Sequence, residues 1–153
     1  MSAAGSSARA GEAGFTLLEL MAVLVVTGLL GGLAVPVFAT ASDALRLHGS
    51  ARALAADLRA ARGAALLSGV SVSVLLDPEG RGYRLAGGGA PVALPDGIAL
   101  RFTAGPLAAG PLRLDFLPDG SASGGEVVLT GPREAALVAV APMTGAIVLG
   151  RVR

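Results

Sequence analysis

Between Leu20 and Ser42 the chain carries no charged residue, and from Phe15 to Ala39 its single charge is Glu19. At about 1.5 Å of rise per residue, roughly 20 helical residues span the ~30 Å hydrocarbon layer of a bilayer, so a helix over 15–39 is long enough to cross one. A helix in a soluble core keeps a polar face, and residues 20–39 offer none beyond Thr27 and the glycines. We read the stretch as one transmembrane helix. A cleavable secretory signal is the competing reading, because Ala39-Thr40-Ala41 supplies the small residues of a cleavage site. The apolar run, however, exceeds the roughly 7–15 residues of such cores, and it holds a carboxylate.

That carboxylate is the informative residue. Inside an apolar helix it costs on the order of 2.5–3.5 kcal/mol at the bilayer centre and less toward an edge, so it calls for a cation that also lies in the membrane. If the chain were cut just before Phe15, the new α-amino group would stand one helical turn from Glu19, in the same chain or in a packed neighbour. Further along, Gly28, Gly31, Gly32 and Pro36 soften the helix, since glycine disfavours it by about 1 kcal/mol and proline removes a backbone hydrogen bond. Gly28 and Gly32 also have the spacing that lets two helices approach closely.

Composition narrows the remaining classes. A chain of 153 residues is of single-domain length, and its mean hydropathy of +0.70 is high for a soluble domain. With no cysteine, disulfides, thiolate metal sites and cysteine nucleophiles are excluded. The 12 basic residues are all arginine, set against 11 acidic ones, and the net charge of +1 gives no long-range field. Ser121, Ser123, His48 and Asp115 are loose pieces of a hydrolase without a Gly-x-Ser-x-Gly elbow. Asp115, Asp119 and Glu126 lack the alternating spacing of a calcium loop. No cofactor, metal or catalytic set is therefore expected, and an enzyme is not.

Past the apolar run, Leu47, Ala51, Leu54, Leu58, Ala61 and Ala65 recur at steps of three and four, while Arg52, Asp57, Arg59 and Arg62 fall on other faces. This predicts an amphipathic continuation of the helix that ends at Gly69. The period then changes to two. Strands are expected at 70–74, 83–86, 98–103, 112–117, 126–130, 136–141 and 146–149, with turns at Asp77-Pro78-Glu79-Gly80, Pro95-Asp96-Gly97 and Pro118-Asp119-Gly120. The Gly87-Gly88-Gly89 stretch reads as a loop. The fold class is α+β: a long N-terminal helix, transmembrane in its first half, packed on a C-terminal antiparallel two-sheet head.

The stretch Gly14-Phe15-Thr16-Leu17-Leu18-Glu19-Leu20 resembles the type IV pilin and pseudopilin processing motif. A short polar leader precedes it, and an apolar helix with Pro36 near its end follows. The segment Leu114 to Gly125, with its Pro-Asp-Gly turn and Gly-Gly pair, is similar to the H-type minor pseudopilins of type II secretion systems. So is the closing Ala141-Pro142-Met143-Thr144-Gly145 followed by an apolar strand. The resemblance implies a leader at 1–14, cleavage of the Gly14–Phe15 bond by a prepilin peptidase, methylation of the Phe15 nitrogen, and pairing of Glu19 with a neighbour's N-terminus during assembly. Thr16 and Pro36 belong to the same assembly element.

The implied organisation is a filament-core helix at 15–39, its amphipathic continuation at 40–68 and a periplasmic head at 69–153. The implied cell is a Gram-negative bacterium, with the chain held in inner-membrane lipid before it joins other major and minor pseudopilins and helps drive protein export. Two features depart from this. Arg9 and Glu12 cancel in the leader, and the basic residues after the helix, Arg46, Arg52, Arg59 and Arg62, by themselves favour a cytoplasmic head. The alternative is the similar FimT-like group of minor type IV pilins, some of which bind DNA through a basic C-terminal segment. Here that segment would be Gly150-Arg151-Val152-Arg153, with Arg151 and Arg153 as phosphate contacts.

Overall fold

The 3.6-residue period becomes one helix, α1, from Leu17 to Ser68, and the period-two half becomes eight short strands. The computed structural model describes residues 16–152, with the side chains of 31–41 left out of that description. The expectations for Gly14, Phe15, the leader, Arg153 and the side chain of Pro36 thus lie outside the described residues. The chain forms two units, one reaching Phe38 and one from Ala39 to Arg153.

In the second unit α1 buries Leu47, Ala51, Leu54, Ala55, Leu58, Ala61 and Ala65, the stripe that the spacing predicts, with Ala55 added. Four alanines on this stripe keep the helix surface low, so larger side chains from the sheets fill the space against it. The helix stops where expected. Gly69 takes φ +69°, a left-handed conformation that glycine adopts without a Cβ penalty, and its N–H bonds the Ala65 carbonyl at 3.1 Å.

The strands are β1 Val72–Leu76, β2 Gly82–Leu85, β3 Val92–Ala93, β4 Ala99–Ala104, β5 Arg113–Phe116, β6 Gly125–Thr130, β7 Ala135–Val140 and β8 Ile147–Arg151. They form two antiparallel sheets, ordered β3-β2-β1-β5 and β4-β6-β7-β8. Val74, Leu114 and Phe116 from the first sheet join Leu100, Val127, Leu129 and Val138 from the second, and the helix stripe completes this single core.

Two expectations need correction. The first strand starts at Val72 and not at Val70, because the Ser68 hydroxyl accepts from the Val70 N–H at 3.3 Å and holds that residue in a turn, with its side chain exposed. The interval 77–111 also contains β3, a two-residue strand with no periodicity of its own, recruited by the register Gly82↔Ala93 and Tyr83↔Val92. The three proline turns form as their chemistry dictates. Their closing bonds are Gly80 N–H to Asp77 O at 2.9 Å, Ile98 N–H to Pro95 O at 3.1 Å and Gly120 N–H to Leu117 O at 3.0 Å.

Candidate assembly site

Thr16 and Glu19 open the described chain, and the structure links them. The Thr16 hydroxyl accepts a hydrogen bond from the Glu19 N–H at 3.2 Å, while the Thr16 carbonyl accepts from Leu20 N–H at 3.2 Å. Thr16 is thus the N-cap of α1 and Glu19 its third residue, the Thr-x-x-Glu spacing of a capping box. A carboxylate in the first turn also faces the positive end of the helix dipole. This capping role stands beside the assembly role expected of both residues, and the four-residue spacing carries it.

Every described side chain from Thr16 to Leu30 is exposed, with Leu17 at 79% and Leu24 at 69%. A helix that is apolar all round is unstable in water unless lipid or other helices cover it. Gly28 has no neighbour within 4 Å of the position a Cβ would take, so the room it leaves is open. Among the described residues no helix is long and apolar enough to cross a membrane.

The second unit holds its loops onto α1 through residues that the sequence placed simply off the core stripe. Arg62 donates from Nε to the Gly120 carbonyl and from Nη2 to the Thr144 carbonyl, both at 3.0 Å. These are the Pro-Asp-Gly turn and the β7–β8 turn, the two segments that carried the H-type resemblance. The junction is tight. Gly145 has φ +61°, and a Cβ there would meet Gly120 O at 2.4 Å and Arg62 Nε at 2.7 Å.

On another side of the helix the Tyr83 hydroxyl donates to Asp57 Oδ2 at 2.6 Å. Burial first, and then the bond and charge of Asp57, push the Tyr83 phenol well above its ordinary range and keep it protonated. In the Pro-Asp-Gly turn the Ser121 hydroxyl and N–H both donate to Asp119 Oδ1 and hold that exposed carboxyl below its usual value.

The residues weighed as hydrolase pieces have other duties. Asp115 is nearly buried and accepts from Ser73 Oγ and Arg113 Nε, each at 2.6 Å. Ser123 Oγ accepts from the Asp115 N–H at 3.0 Å. His48 lies beside Glu134 at 3.4 Å, apart from that network. Ser121 is tied to Asp119 in its own turn. Arg151 is exposed at the end of β8.

Comparison with known proteins follows the same division of the chain. Residues 50–144 match the profile of the family described as "Type II transport protein GspH", and residues 9–35 match the "Prokaryotic N-terminal methylation motif". A curated relative, "Type II secretion system protein H" of Xanthomonas campestris pv. campestris, is 32% identical over 120 residues, covering 76% of this chain and 70% of that protein. Among solved structures, the minor pseudopilin EpsH of Vibrio cholerae superposes with a TM-score of 0.57 at 21% identity, covering 69% of this chain and 97% of that one. The type IV minor pilin FimU of Pseudomonas aeruginosa gives 0.53 at 16% identity, covering 68% and 87%. At these identities the two structures speak to fold alone.

Proposed function

The chain belongs to the GspH family, the H-type minor pseudopilins of type II secretion, and from this premise we propose that it works by packing, with Glu19 as the charge that sets its place among neighbouring helices. Family membership with an N-methylation motif implies a bacterial-envelope protein, processed by a prepilin peptidase and assembled with other pseudopilins. The finer reading is that cleavage falls between Gly14 and Phe15, leaves 139 of the 153 residues, and exposes a methylated Phe15 nitrogen. The helix then waits in inner-membrane lipid with its head in the periplasm. On assembly it exchanges lipid for neighbouring helices, with Thr16 capping its start and Pro36 near the end of its apolar part.

One observation carries this reading. The described start of α1 exposes apolar side chains in every direction, and its only charge stands three residues from the cap. The core cluster of the head contains none of these side chains. Assembly requires no bond to be made or broken by this chain beyond its own processing, so its role is structural. FimU shares the fold, so fold does not choose between a pilus and a secretion subunit, whereas the family match does.

The test combines mass and charge. Intact-mass analysis of the mature protein is expected to find a start at methylated Phe15, while a start at Ser42 would restore the secretory-signal reading. Glu19→Gln isolates the charge, because the amide keeps the size of the side chain and the Thr16 cap uses the backbone N–H of residue 19. Incorporation into filaments is expected to fall as far for Glu19→Gln as for Glu19→Ala. Full incorporation of both variants would remove the charge-pairing proposal.

A further inference from the structure

A sheet edge is a row of unpaired backbone donors and acceptors, and folded proteins ordinarily blunt it. Two of the four edges here are blunted along their length, and β4 at its first outward residue. β3 is two residues long and bracketed by Pro91 and Pro95. Along β4, the first outward amide, Leu100 N–H, is taken by Gly80 O at 2.8 Å, while the outward groups of Phe102 and Ala104 have no backbone partner among the described residues. The outer side of β5 is closed by the returning chain, through Ser123 N–H to Asp115 O at 2.8 Å and the bridge Phe116↔Ala122.

β8 is different. Ala141 N–H donates to Ala146 O at 2.9 Å, and the register continues through Val140↔Ile147, Ala139↔Val148 and Leu137↔Gly150. Hydrogen-bonded and non-bonded pairs alternate in an antiparallel ladder. The backbone groups of Val148 and Gly150 therefore face β7, and those of Leu149 and Arg151 face outward. The outward Ile147 carbonyl is met by Arg59 Nη2 at 3.4 Å, which agrees with this phase. Beyond it, no backbone partner is found for the outer edge among the described residues. The side chains are open as well: Val148 is 59% exposed, Leu149 41% and Val152 47%.

Charge selects the occupant. Arg59 stands at one end of the edge, and at the other Arg133, Arg151 and Val152 line a hollow that also holds His48 and Glu134. None of the three arginines is in a salt bridge among the described residues; the one carboxylate in that hollow, Glu134, lies 3.4 Å from His48, and the three arginines outnumber it. We propose that the outer edge of β8 receives an extended acidic segment of a neighbouring filament subunit as an added antiparallel strand. Leu149 and Arg151 exchange the backbone hydrogen bonds, and the three arginines meet the carboxylates. The inference rests on the reading of the chain as a filament subunit. It does not use Glu19.

The experiment uses the full chain in detergent micelles and an eight-residue peptide of alternating valine and glutamate, with a valine–lysine peptide as control. The glutamate peptide is expected to slow hydrogen exchange at the Leu149 and Arg151 amides and to leave those of Val148 and Gly150, already paired, unchanged. It is also expected to bind about tenfold more tightly than the lysine peptide at low salt. Leu149→Pro deletes an outward donor while sparing the β7 ladder, and should weaken binding about tenfold. If that variant does not fold, the exchange pattern of the native chain still decides.

In cells, Leu149→Pro should lower the share of the chain in filaments while the Phe15 start is unchanged. Absent protection, equal affinity for the two peptides, binding of duplex DNA with no peptide binding, or full incorporation of a folded Leu149→Pro chain would each overturn the proposal. A Glu19→Gln chain that still protects the Leu149 amide but incorporates fully would count against the helix-pairing reading alone.

Discussion

Over residues 16–30 every described side chain of α1 is exposed, whereas between Leu47 and Ala65 seven side chains on the same helix retain 1% of their surface or less. The backbone hydrogen-bond pattern is the same in both stretches, so helix formation alone does not tell them apart. What differs is where the burial energy comes from. The second stretch carries its own partner, two sheets that supply Val74, Leu114, Phe116, Val127 and Leu129 to a shared core. The first has none among the described residues, and a helix apolar all round is stable only where lipid or other helices cover it. A helix with a stripe is a folding element, and a helix that is apolar all round is the one we propose to act in assembly.

The largest test of this contrast is the same substitution on both sides of it. Leu54→Ala removes a side chain with no exposed surface from the core and should cost about 2–5 kcal/mol in denaturant unfolding of the head. Leu24→Ala should shift that unfolding by less than about 0.5 kcal/mol in detergent, with its effect confined to assembly. A large shift from Leu24→Ala would mean that the start of the helix takes part in the stability of the head.

Next in size is Gly145→Ala. A left-handed residue pressed against Gly120 O and Arg62 should cost about 1–3 kcal/mol when given a Cβ, read as a lower denaturation midpoint. If the midpoint holds, the two loops are not fixed to the helix as the geometry states.

Tyr83→Phe removes the bond to Asp57 and should cost about 1 kcal/mol at neutral pH. The sign of its pH dependence is determined. The folded phenol titrates above its unfolded value of about 10, so its contribution is full below that pH and is lost as pH rises toward the folded value. The native head should therefore lose stability above about pH 10 more steeply than the Phe variant, and parallel curves would refute the burial argument.

The smallest effect is expected at the cap. Thr16→Ala should fray the first turn by about 1 kcal/mol, seen in faster exchange of the Glu19 amide, with no change in unfolding of the head.

Much of the fold was readable from residue spacing, because period and turn chemistry are local. The stripe from Leu47 to Ala65, its stop at Gly69 and the three proline turns follow from neighbours within a few residues of one another. β3 was not readable, since Val92 and Ala93 have no pattern and are strand only because β2 offers them partners. The exact start of β1 was lost for a similar reason, as one hydroxyl of Ser68 decides the conformation of Val70. Arg59, Arg62 and Asp57 looked like a solvated helix face. Their targets, Ile147, Gly120, Thr144 and Tyr83, are 26 to 88 residues away in sequence, and no local rule connects such distances. Within the candidate site, the Thr16–Glu19 spacing was legible as chemistry, while the openness of β8 was not.

The order of residues alone determined that this chain has a uniformly apolar helix with one carboxylate near its start, followed by a striped helix and a strand-rich head. Those are properties of period, charge and turn residues, fixed by covalent sequence. Tertiary structure alone decided which polar side chains of α1 fasten the loops, that the outer edge of β8 is left open, and that arginines stand at its two ends. Each of these depends on which distant backbone groups are brought together and which are left over once the core has closed.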